Sequence, residues 1–370
     1  MELTVKKTDL VKELSLGQGV VERKTTIPVL SNVLLETDGN DLVLMFTDLE
    51  LSIRSACPAE VIKPGSTTIP ARKLLDYVRL LPDAELKIKV SDNHSAMLVC
   101  GRSRTRIGGM SRENFPELPA MPAALTKIPA AMLTSVISRT IFSIASEESR
   151  YTLTGGLLIL KEEGLVLVTT DGHRLSYIEG EHTFEGISGQ LKALVPRKAL
   201  AEILKIASEG GGSMEFEFAT DENHLFFRCG SRLLITRKLT GQFPDYERVL
   251  PKKKGHTVIL GREEATASIR RVAQFADDRS HAIRLELSNN ELKLVASNAE
   301  VGDSEETIPV EYEGDTIKVG FNSHYLLDFL AVADGDTVHL ELQGEDSAGQ
   351  FVQPDLEGYD YRYVIMPMRI

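Results

Sequence analysis

The chain has 370 residues, 42% of them hydrophobic and 26% charged, a composition typical of a globular protein with two or three domains. No apolar run is long enough to span a membrane, and the N-terminus MELTVKKTDL lacks the pattern of a secretory signal, so we expect a cytoplasmic protein with no membrane partner. The formal net charge of −12 argues against a nucleic-acid partner, because phosphate binding depends mainly on Lys and Arg.

The first third of the chain predicts two helices and a series of strands. Apolar residues at helical spacing favour a helix over KKTDLVKELSL, and alternating residues around a tight polar turn predict a strand pair over SNVLLETDGNDLVLMFTDLELSI. A second helix follows in TTIPARKLLDYVRLLP, where Pro70 lies near the helix start. The proline-rich segment Phe115 to Pro129 then predicts a boundary.

The middle third repeats this order of elements. We predict an amphipathic helix over PAAMLTSVISRTIFSIAS, a strand pair over GGLLILKEEGLVLVTTDGHRLSYI, and a second helix in ALVPRKALAEILKIASEG after Pro196. The glycines at 210–212 predict the end of that helix, since they lack the Lys-Ser/Thr of a phosphate-binding loop. The segment Phe243 to Gly255, FPDYERVLPKKKG, predicts the next boundary.

The last third contains the same pattern once more. A helix is predicted over REEATASIRRVAQFA, strands over HAIRLELSNNELKLVASNAEVGDSEETI, and a second helix within IKVGFNSHYLLDFLAVADG. The chain ends on YVIMPMRI, which is rich in large apolar residues. Two interpretations of this ending stay open: a last strand of the third sheet, or a methionine-rich wall of a binding groove.

Matching residues recur at nearly constant offsets, which indicates three tandem copies of one unit. Asp48 and Asp171 are 123 residues apart, Asp171 and Asn298 are 127 apart, and Pro70 and Pro196 are 126 apart. Two helices and several antiparallel strands per copy predict an α+β fold. We therefore predict three similar domains, at residues 1–121, 122–250 and 251–370.

Charge is distributed unevenly among the three predicted domains. The first carries 16 basic and 16 acidic residues, the second 14 and 16, and the third 12 and 22. The net charges are therefore 0, −2 and −10, and no Lys or Arg occurs from Val319 to Tyr361. The acidity belongs almost wholly to the last third, and this asymmetry needs a physical reason.

The motif TDGHRL in the middle third admits three interpretations. Asp-Gly is typical of a tight turn, but the motif could also contact a ligand, or His173 beside Asp171 could act as a catalytic base. The sequence has no Ser or Cys nucleophile motif, which argues against catalysis. Among these alternatives the turn is favoured by the residues alone.

No cofactor or metal is implied by the sequence. Cys57, Cys100 and Cys229 are odd in number and far apart, so they suit neither a disulfide framework nor a zinc site, and we expect reduced, partly buried thiols. The eight histidines form no pair at metal-ligand spacing.

Taken together, the motifs resemble the bacterial DNA polymerase III beta subunit family, the replication sliding clamps. The resemblance runs from end to end and rests on nine segments in order: TIPVLSNVLLE, FTDLELSI, TIPARKLLD, GRSR, YTLTGGLL, TDGHRL, VPRKAL, GQFPDYERVLP and YVIMPMRI. It implies the DNA clamp fold and a head-to-tail homodimer, in which six similar domains form a ring around duplex DNA. A non-catalytic tether that reads no base sequence is thereby implied.

The resemblance also implies a peptide groove between the second and third domains. Its partners would be the polymerase III alpha subunit, the clamp loader delta subunit, and other polymerases and repair proteins, each through a short apolar motif. His173 would then be a wall of the groove and no base. The implied groove residues are Leu153, Thr170, Gly172, His173, Arg174, Leu175, Pro244, Arg248, Val249, Val364, Met366, Pro367, Met368 and Arg369.

Two further sets of residues follow from the resemblance. The implied DNA contacts are Lys24, Arg72, Arg150, Tyr151, Arg197 and Lys198, although a charged helix face is usually only solvated. Lys24 stands where the family often has arginine, and the second helix of the third domain has no Lys or Arg. The implied dimer interface pairs basic Arg102, Arg104 and Arg106 with acidic residues across an apolar centre, the other members being Ile107, Phe275, Glu300, Asp303, Glu305 and Glu306.

Two functions from other classes remain as alternatives. A sequence-specific DNA-binding regulator would need a recognition element with base-contacting side chains. A hydrolase would use His173 and Asp171.

Overall fold

Six α-helices lie in the part of the chain that the computed structural model describes, which is residues 1–22, 26–209, 214–252 and 255–369. Two fall in each third, as the sequence predicts. They are α1 (Lys7–Leu16), α2 (Ala71–Leu80), α3 (Ala130–Ser138), α4 (Arg197–Glu209), α5 (Arg262–Val272) and α6 (Ser323–Val332).

The predicted length of α3 is wrong. The sequence suggests a helix as far as Ser146, but α3 ends at Ser138 and only a 3-10 turn, Ile141–Ser143, follows. At Thr140 the backbone leaves the helical region, with φ −127°, and its hydroxyl donates 2.7 Å to the Val136 carbonyl. A threonine that hydrogen-bonds the backbone in this way competes with the next helical turn.

The described residues form two compact units. The first comprises Met1–Thr134 and Lys198–Lys238, and the second comprises Ser135–Arg197 and Leu239–Ile370.

The first unit is built on one twelve-stranded antiparallel sheet. Its longest path runs β8-β7-β6-β1-β4-β16-β15-β14-β9, and β2, β3 and β5 branch from β4 through β3. The strands are β1 (Glu2–Lys6), β2 (Asn32–Asp38), β3 (Asp41–Thr47), β4 (Leu51–Lys63), β5 (Ser66–Pro70), β6 (Glu85–Val90), β7 (Ala96–Cys100), β8 (Ser103–Ile107), β9 (Thr126–Pro129), β14 (Glu215–Thr220), β15 (His224–Cys229) and β16 (Arg232–Arg237).

The sheet of the first unit crosses a predicted domain boundary. Strand β4 pairs with β16 from the middle third, with Ile53 opposite Leu234, and both of these side chains are fully buried. Arg232 at the start of β16 adds a buried ion pair, because its guanidinium donates two hydrogen bonds, 3.1 and 2.8 Å long, to Glu13 of α1. Removal of one partner of such a pair costs about 3–5 kcal/mol, so this contact helps to specify the pairing.

The second unit contains an eight-stranded sheet, β13-β10-β11-β12-β24-β23-β22-β17, and a four-stranded sheet, β20-β19-β18-β21. The eight strands are β10 (Gly155–Lys161), β11 (Gly164–Thr170), β12 (Arg174–Glu181), β13 (Gln190–Pro196), β17 (His256–Gly261), β22 (Thr337–Leu342), β23 (Gly349–Val352) and β24 (Tyr359–Ile365). The four are β18 (Ala282–Ser288), β19 (Glu291–Asn298), β20 (Gly302–Pro309) and β21 (Ile317–Asn322).

Strand β24 joins the middle and last thirds in the second unit. It pairs with β23 on one side and with β12 on the other, where Val364 lies opposite Leu175. The predicted last strand therefore exists, but its sheet is shared with the middle third.

Aromatic stacking fills the core beneath β24. The ring of Phe329 on α6 stacks on Phe351, Tyr361 and Tyr363, with centroids 4.6, 5.6 and 5.4 Å apart. Pairs of this kind contribute about 0.5–1.5 kcal/mol each beyond the buried area. Helix α6 is thereby fixed against the strand that leads into the chain end.

The three cysteines are free and buried. Burial, with smaller contributions from the carboxylates of Glu13 and Asp9, raises the pKa of the Cys57 thiol to about 12. Among the described residues no group of three or more His, Cys, Asp or Glu could hold a metal ion, and no helix is long and apolar enough to cross a membrane.

Candidate functional site

The TDGHRL motif forms a tight turn between β11 and β12. One carboxylate oxygen of Asp171 accepts the backbone N–H groups of His173 and Arg174, at 2.9 and 3.0 Å, and the Thr170 hydroxyl accepts the N–H of Gly172 at 3.0 Å. Gly172 has φ +90°, a conformation that glycine adopts without strain. The predicted turn is confirmed.

Both carboxylate oxygens of Asp171 serve the turn itself. The second oxygen accepts a 3.0 Å hydrogen bond from Nε of Arg174. His173 is exposed, and its carbonyl accepts the N–H of Met366 at 2.9 Å. The turn therefore presents the His173 ring to solvent beside the chain end.

Arg174 points into the protein, and its side chain is only 10% exposed. Besides Asp171, its guanidinium donates a 2.5 Å bond to Asp328 of α6 and a 2.7 Å bond to the carbonyl of Phe142. The guanidinium carbon also lies 4.3 Å from the ring centre of Tyr325, a cation–π contact. Arg174 thus ties the turn to α6 and supports the site from beneath.

The charges around Arg174 keep it ionised. Burial alone would lower the pKa of its guanidinium, but the Tyr363 hydroxyl and the carboxylates of Asp328 and Asp171 outweigh burial and raise the pKa. A buried cation with two carboxylate partners is held rigidly, because loss of any one contact leaves a charge unpaired.

An apolar cluster forms the floor of the site beside the turn. Its buried members come from four neighbouring strands, and partly buried side chains from residues 243–250 pack against them. The buried members are Ile159, Val166, Val168, Leu175 and Val364; the partly buried ones include Phe243, Tyr246, Val249 and Leu250. The structure thus brings together Leu175, Val249 and Val364, which the sequence placed in one groove.

Phe243, Tyr246 and Tyr177 also pack against this floor, although the sequence did not indicate them. The Tyr177 and Tyr246 rings stack at 6.0 Å, and the Tyr177 hydroxyl donates to Glu179 at 2.5 Å. The aromatic residues Phe243 and Tyr246 beside charged residues in FPDYERVL are the signal that could have revealed this wall of the groove. Partly buried aromatic rings beside an apolar floor are a common basis for peptide recognition.

Glu179 is ionised at neutral pH. Burial alone would raise the pKa of this carboxyl, but a 2.6 Å bond from Lys161 and the bond from the Tyr177 hydroxyl outweigh it, so the pKa is lowered. Burial, followed by the same Glu179 contact, raises the pKa of Tyr177. Tyr177 therefore stays protonated, and its hydroxyl remains a donor to Glu179 while its ring stacks on Tyr246.

The chain end divides between two surfaces. Met366, 39% exposed, continues β24 beside His173, whereas the N–H of Met368 donates 2.8 Å to the Gly320 carbonyl of β21. Pro367, Met368 and Arg369 line a different cleft of about 950 Å³, together with Arg284, Lys318, Val319, Gly320, Glu345 and Asp346.

The remaining predicted groove residues vary in exposure. Leu153 and Thr170 are buried, and Thr170 donates 2.6 Å to the Arg174 carbonyl. Pro244 and Arg248 are exposed, and Arg248 forms a 2.7 Å ion pair with Asp245.

A second cleft, of about 500 Å³, is lined in part by residues of the turn itself. Two of the predicted DNA contacts, Arg150 and Arg197, line it together with His173, Arg174 and Asp328. Arg150 is exposed, and its Nη1 donates 2.8 Å to the carbonyl of Asp171. A predicted DNA contact and the turn therefore meet in one cleft.

Of the other predicted DNA contacts, Arg72 and Lys198 lie at the starts of α2 and α4, and Tyr151 lies in the 3-10 segment Glu148–Leu153. Arg72 is exposed in the first turn of α2, and Tyr151 is 50% exposed. Lys198 is engaged, because its ammonium pairs with Asp48 and donates 3.0 Å to the Val20 carbonyl. Lys24 lies outside the described residues.

The residues predicted for the dimer interface lie on or beside two outermost strands. Strand β8 ends the strand order of its sheet and carries Arg104, Arg106 and the buried Ile107, with Arg102 just before it. Strand β20 ends the four-stranded sheet and carries Asp303, Glu305 and Glu306, with Glu300 just before it. The Phe275 ring, partly buried, borders Gly302 at the start of β20.

Two of the predicted interface acids have partners within the chain. Glu305 pairs with Lys293 at 2.7 Å, and Glu306 pairs with Arg271. The hydrogen bond from Arg271, against a smaller effect of burial, lowers the pKa of Glu306. Glu300 and Asp303 are exposed, and they form no ion pair with another described residue.

Comparison with protein families gives three matches in consecutive order. The N-terminal domain of the DNA polymerase III beta subunit matches residues 1–119, its central domain matches residues 127–245, and its C-terminal domain matches residues 247–369.

Individual proteins are similar over their full lengths. A Pseudomonas putida protein named beta sliding clamp is 36% identical over 373 residues, which cover 100% of both chains. Crystal structures of sliding clamps from Pseudomonas aeruginosa and Bartonella birtlesii, each bound to griselimycin, are 35% and 31% identical and superpose with TM-scores of 0.93 and 0.94. Each comparison covers 100% of both chains.

Proposed function

The chain belongs to the DNA polymerase III beta subunit family, and we propose that it encircles duplex DNA as a sliding clamp and tethers the replicative polymerase. The observation that carries the proposal is the ordered match of all three family domains along a chain that relatives cover completely. We further propose that the domains are residues 1–121, 122–250 and 251–370, and that the protein works in the cytoplasm. The family assignment displaces the regulator and the hydrolase as alternatives.

The proposed grip on DNA is topological. A ring that offers diffuse positive charge to phosphates holds a duplex without a preferred register, so it can slide. Arg72, Arg150, Tyr151 and Arg197 are exposed and suit this role, and Lys198 joins the set if phosphate replaces Asp48 as its partner. Lys24 completes the proposed set.

Ring closure would join β8 of one chain to β20 of a second copy. Among described residues each strand pairs on one side only, so each offers unpaired backbone groups to another strand. Arg102 and Arg104 accompany one edge, and Glu300 and Asp303 the other, which adds charge complementarity. Ile107 and Phe275 would lie at the apolar centre of this heterologous interface, which two-fold symmetry closes.

Reversal of charge tests the interface. The double variant Arg102→Glu, Arg104→Glu should shift the dimer toward monomer on sizing, because like charges would then face each other. The matched control is Lys87→Glu with Lys89→Glu on β6, away from both edges. A dimer as stable as the wild type in the first variant would contradict the proposed interface.

The groove between the turn and residues 243–250 is the proposed docking site for partners. Its floor of Leu175 and Val364 and its wall of Val249 and Tyr246 would accept a short apolar peptide motif, with few side chains supplying most of the affinity. We propose the polymerase III alpha subunit, the clamp loader delta subunit, other polymerases and repair proteins as competing ligands. We also propose that griselimycin, which the similar clamps from Pseudomonas aeruginosa and Bartonella birtlesii bind, occupies the same groove in this chain. No cofactor is part of this function.

The decisive experiment uses a circular DNA with one nick. The protein is loaded by a clamp loader, the complex is washed at high salt, and the circle is then cut once. A sliding clamp should stay on the circle and leave after the cut. Retention on the linear product, or loss from the intact circle, would contradict the function. A site-selective DNA-binding protein should show the same retention on the DNA before and after the cut.

A further inference from the structure

Two histidines of the last third stack on each other at the start of α6. The ring centroids of His281 and His324 lie 4.1 Å apart, with an angle of 29° between the ring planes. His324 is exposed and His281 is partly buried, and their ring nitrogens form no hydrogen bond with any residue that the structure describes. Both rings are therefore available to a ligand from solution.

The backbone around this histidine pair is fixed. His281 has φ +49°, a left-handed conformation that few non-glycine residues adopt. Its N–H donates 2.8 Å to the Asp277 carbonyl, and its own carbonyl accepts the N–H of Ser323 at 2.9 Å. The Asn322 side chain caps α6, because it accepts the N–H of His324 at 2.9 Å. These bonds hold the two imidazoles together at the first turn of the helix.

The same position in the other two thirds of the chain carries a cation. His324 is the second residue of α6, as Arg72 is of α2 and Lys198 is of α4, and the three are spaced 126 residues apart. The N–H of the helix residue just before it donates to a backbone carbonyl at 3.1 Å in α4 and at 2.9 Å in α6. Arg72 and Lys198 are proposed DNA contacts. Because α6 has no Lys or Arg, His324 is the residue of α6 that can supply positive charge at this position.

We propose that His324, positioned by His281, is the contact of the last third with the phosphates of duplex DNA, and that this contact depends on pH. The inference rests on the proposed function. Histidine side chains in general gain a proton as the pH falls from about 8 to 5, and the protonated ring is a cation. A phosphate beside the ring favours the protonated form, so DNA binding takes up a proton and the affinity falls as the pH rises.

The charges around the histidine pair leave the added proton to the phosphate. The titratable and charged residues on the elements that border the pair are Asp277, Asp278 and Arg279 before β18, Arg284 and Glu286 on β18, Lys318 on β21, and Tyr325 and Asp328 on α6. Asp328 pairs with Arg174, and Arg284 pairs with Glu286, so these charges offset each other. The two remaining acids match the two remaining bases in number. The positive end of the α6 dipole opposes a proton on His324 without DNA, and a phosphate at that end removes the opposition.

The test measures the binding of a fluorescently labelled 30-base-pair duplex by anisotropy at pH 6.0 and 8.0, in 50 and 200 mM salt. In 50 mM salt we expect the wild type to bind about two- to fivefold more tightly at pH 6.0, the range typical of an exposed charge pair. The slope of log affinity against log salt should also be steeper at pH 6.0, by about 0.9 for each phosphate that a histidine meets. His324→Gln should lose both differences.

Two further variants test the role of each ring. His324→Arg gives α6 the residue that α2 has at this position, and it should bind the duplex at pH 8.0 as tightly as the wild type does at pH 6.0. His281→Asn keeps a residue type that tolerates the left-handed backbone but removes the stacked ring. It should reduce the pH response, because the ring of His324 is then no longer held in place.

Two controls separate this role from general effects. His182→Gln removes a histidine of the same unit whose ring packs on Phe184, and it should keep the wild-type response. Equal urea midpoints of His324→Gln and the wild type would show that the lost response is not unfolding.

A full pH response in His324→Gln, or no gain at pH 8.0 in His324→Arg, would overturn the inference. A full response in His281→Asn would overturn the positioning role of His281. Absence of duplex binding by the wild type at both pH values would overturn the DNA contact of His324, whereas the nicked-circle experiment would still decide the proposed function.

Discussion

The turn at 170–174 has a close counterpart at 47–51 in the other unit, and three hydrogen bonds recur in both turns. Asp48 accepts the N–H groups of Glu50 and Leu51 as Asp171 accepts those of His173 and Arg174, and a threonine hydroxyl accepts the N–H of the residue after the aspartate in both turns. The chain segment paired with the strand after the turn makes the same long-range backbone bond in both units. The backbone N–H of Arg237 donates to the Glu50 carbonyl at 2.8 Å, and the backbone N–H of Met366 donates to the His173 carbonyl at 2.9 Å.

The side chains on these shared frames differ in character. Glu50 and Arg237 form an exposed 3.6 Å ion pair, where the second unit has His173 and Met366. Ser52 occupies the register position of Leu175, and its hydroxyl bonds to Thr47 at 2.7 Å in place of an apolar floor. The fold thus repeats the turn, while a few side chains decide whether the surface beside it is a charged face or an apolar groove.

The largest expected effect concerns the basic partners of the two turn aspartates, which are Arg174 for Asp171 and Lys198 for Asp48. Arg174→Ala would leave Asp171 and Asp328 without their buried cation, so we expect the free energy of unfolding to fall by about 3–5 kcal/mol. Lys198→Ala removes the partly exposed counterpart of Asp48 and should cost about 1 kcal/mol or less. Urea unfolding measures both, and hydrogen exchange localises the loss. An equal loss of unfolding free energy in the two variants would contradict the expected difference between the partners of Asp171 and Asp48.

A graft of the first turn's side chains onto the second should abolish the groove. The double variant His173→Glu, Met366→Arg recreates the ion pair of Glu50 and Arg237, and we expect griselimycin affinity to fall at least about tenfold, or 1.4 kcal/mol. Stability should change by only about 0.5 kcal/mol, because exposed ion pairs contribute little. Calorimetry measures the binding.

The reverse graft is the control. Glu50→His with Arg237→Met should create no binding site, because Ser52 supplies no apolar floor. Undiminished binding in the first graft, or new binding in the second, would refute the role assigned to these side chains.

A smaller effect is expected from the backbone of the first turn. Leu49 has φ +80° and is 52% exposed, where the second turn has Gly172. Leu49→Gly should raise the free energy of unfolding by about 0.5–1 kcal/mol, since relief of strain exceeds the added freedom of the unfolded chain. Thermal unfolding would show a higher midpoint. A lower midpoint would mean that the leucine side chain contributes more than its conformation costs.

The smallest expected effect concerns the pH dependence of a partly exposed ion pair. Asp38 of β2 pairs with Arg54 of β4 in the first unit, and Lys161 of β10 pairs with Glu179 of β12 in the second. Because folding lowers the pKa of Glu179, its stabilisation is present above the unfolded value of about 4.3 and is lost as the pH falls through the folded value. Wild type should therefore exceed Glu179→Gln in stability at pH 7, by about 1 kcal/mol or less, and the two should converge in acid. A constant difference from pH 7 to pH 3 would contradict this assignment.

Local signals in the sequence predicted much of this structure. Helical spacing placed all six helices, alternation around polar turns placed the three strand pairs, and Asp-Gly placed the turn at 171–172. The constant offset of Asp48 and Asp171 reflects the identical hydrogen bonds that both carboxylates accept. Such features depend on residues close in sequence, so a single chain is enough to reveal them.

Long-range pairing could not be predicted in the same way. The registers of β4 with β16, and of β12 with β24, join residues more than 170 positions apart, and no local pattern encodes them. For the same reason the sequence did not show that Lys198 pairs with Asp48 or that Glu306 pairs with Arg271. Nor did the sequence show that the guanidinium of Arg174, a residue implied for the groove, bonds to both Asp171 and Asp328.

The contrast between the two turns is tested most directly by a crystal structure of this protein with griselimycin. We expect the compound to lie against Leu175, Val249 and Val364, with the Glu50–Arg237 surface unoccupied. Griselimycin beside Ser52 and Ile235, with the groove at 170–175 empty, would contradict the proposed difference between the two turns.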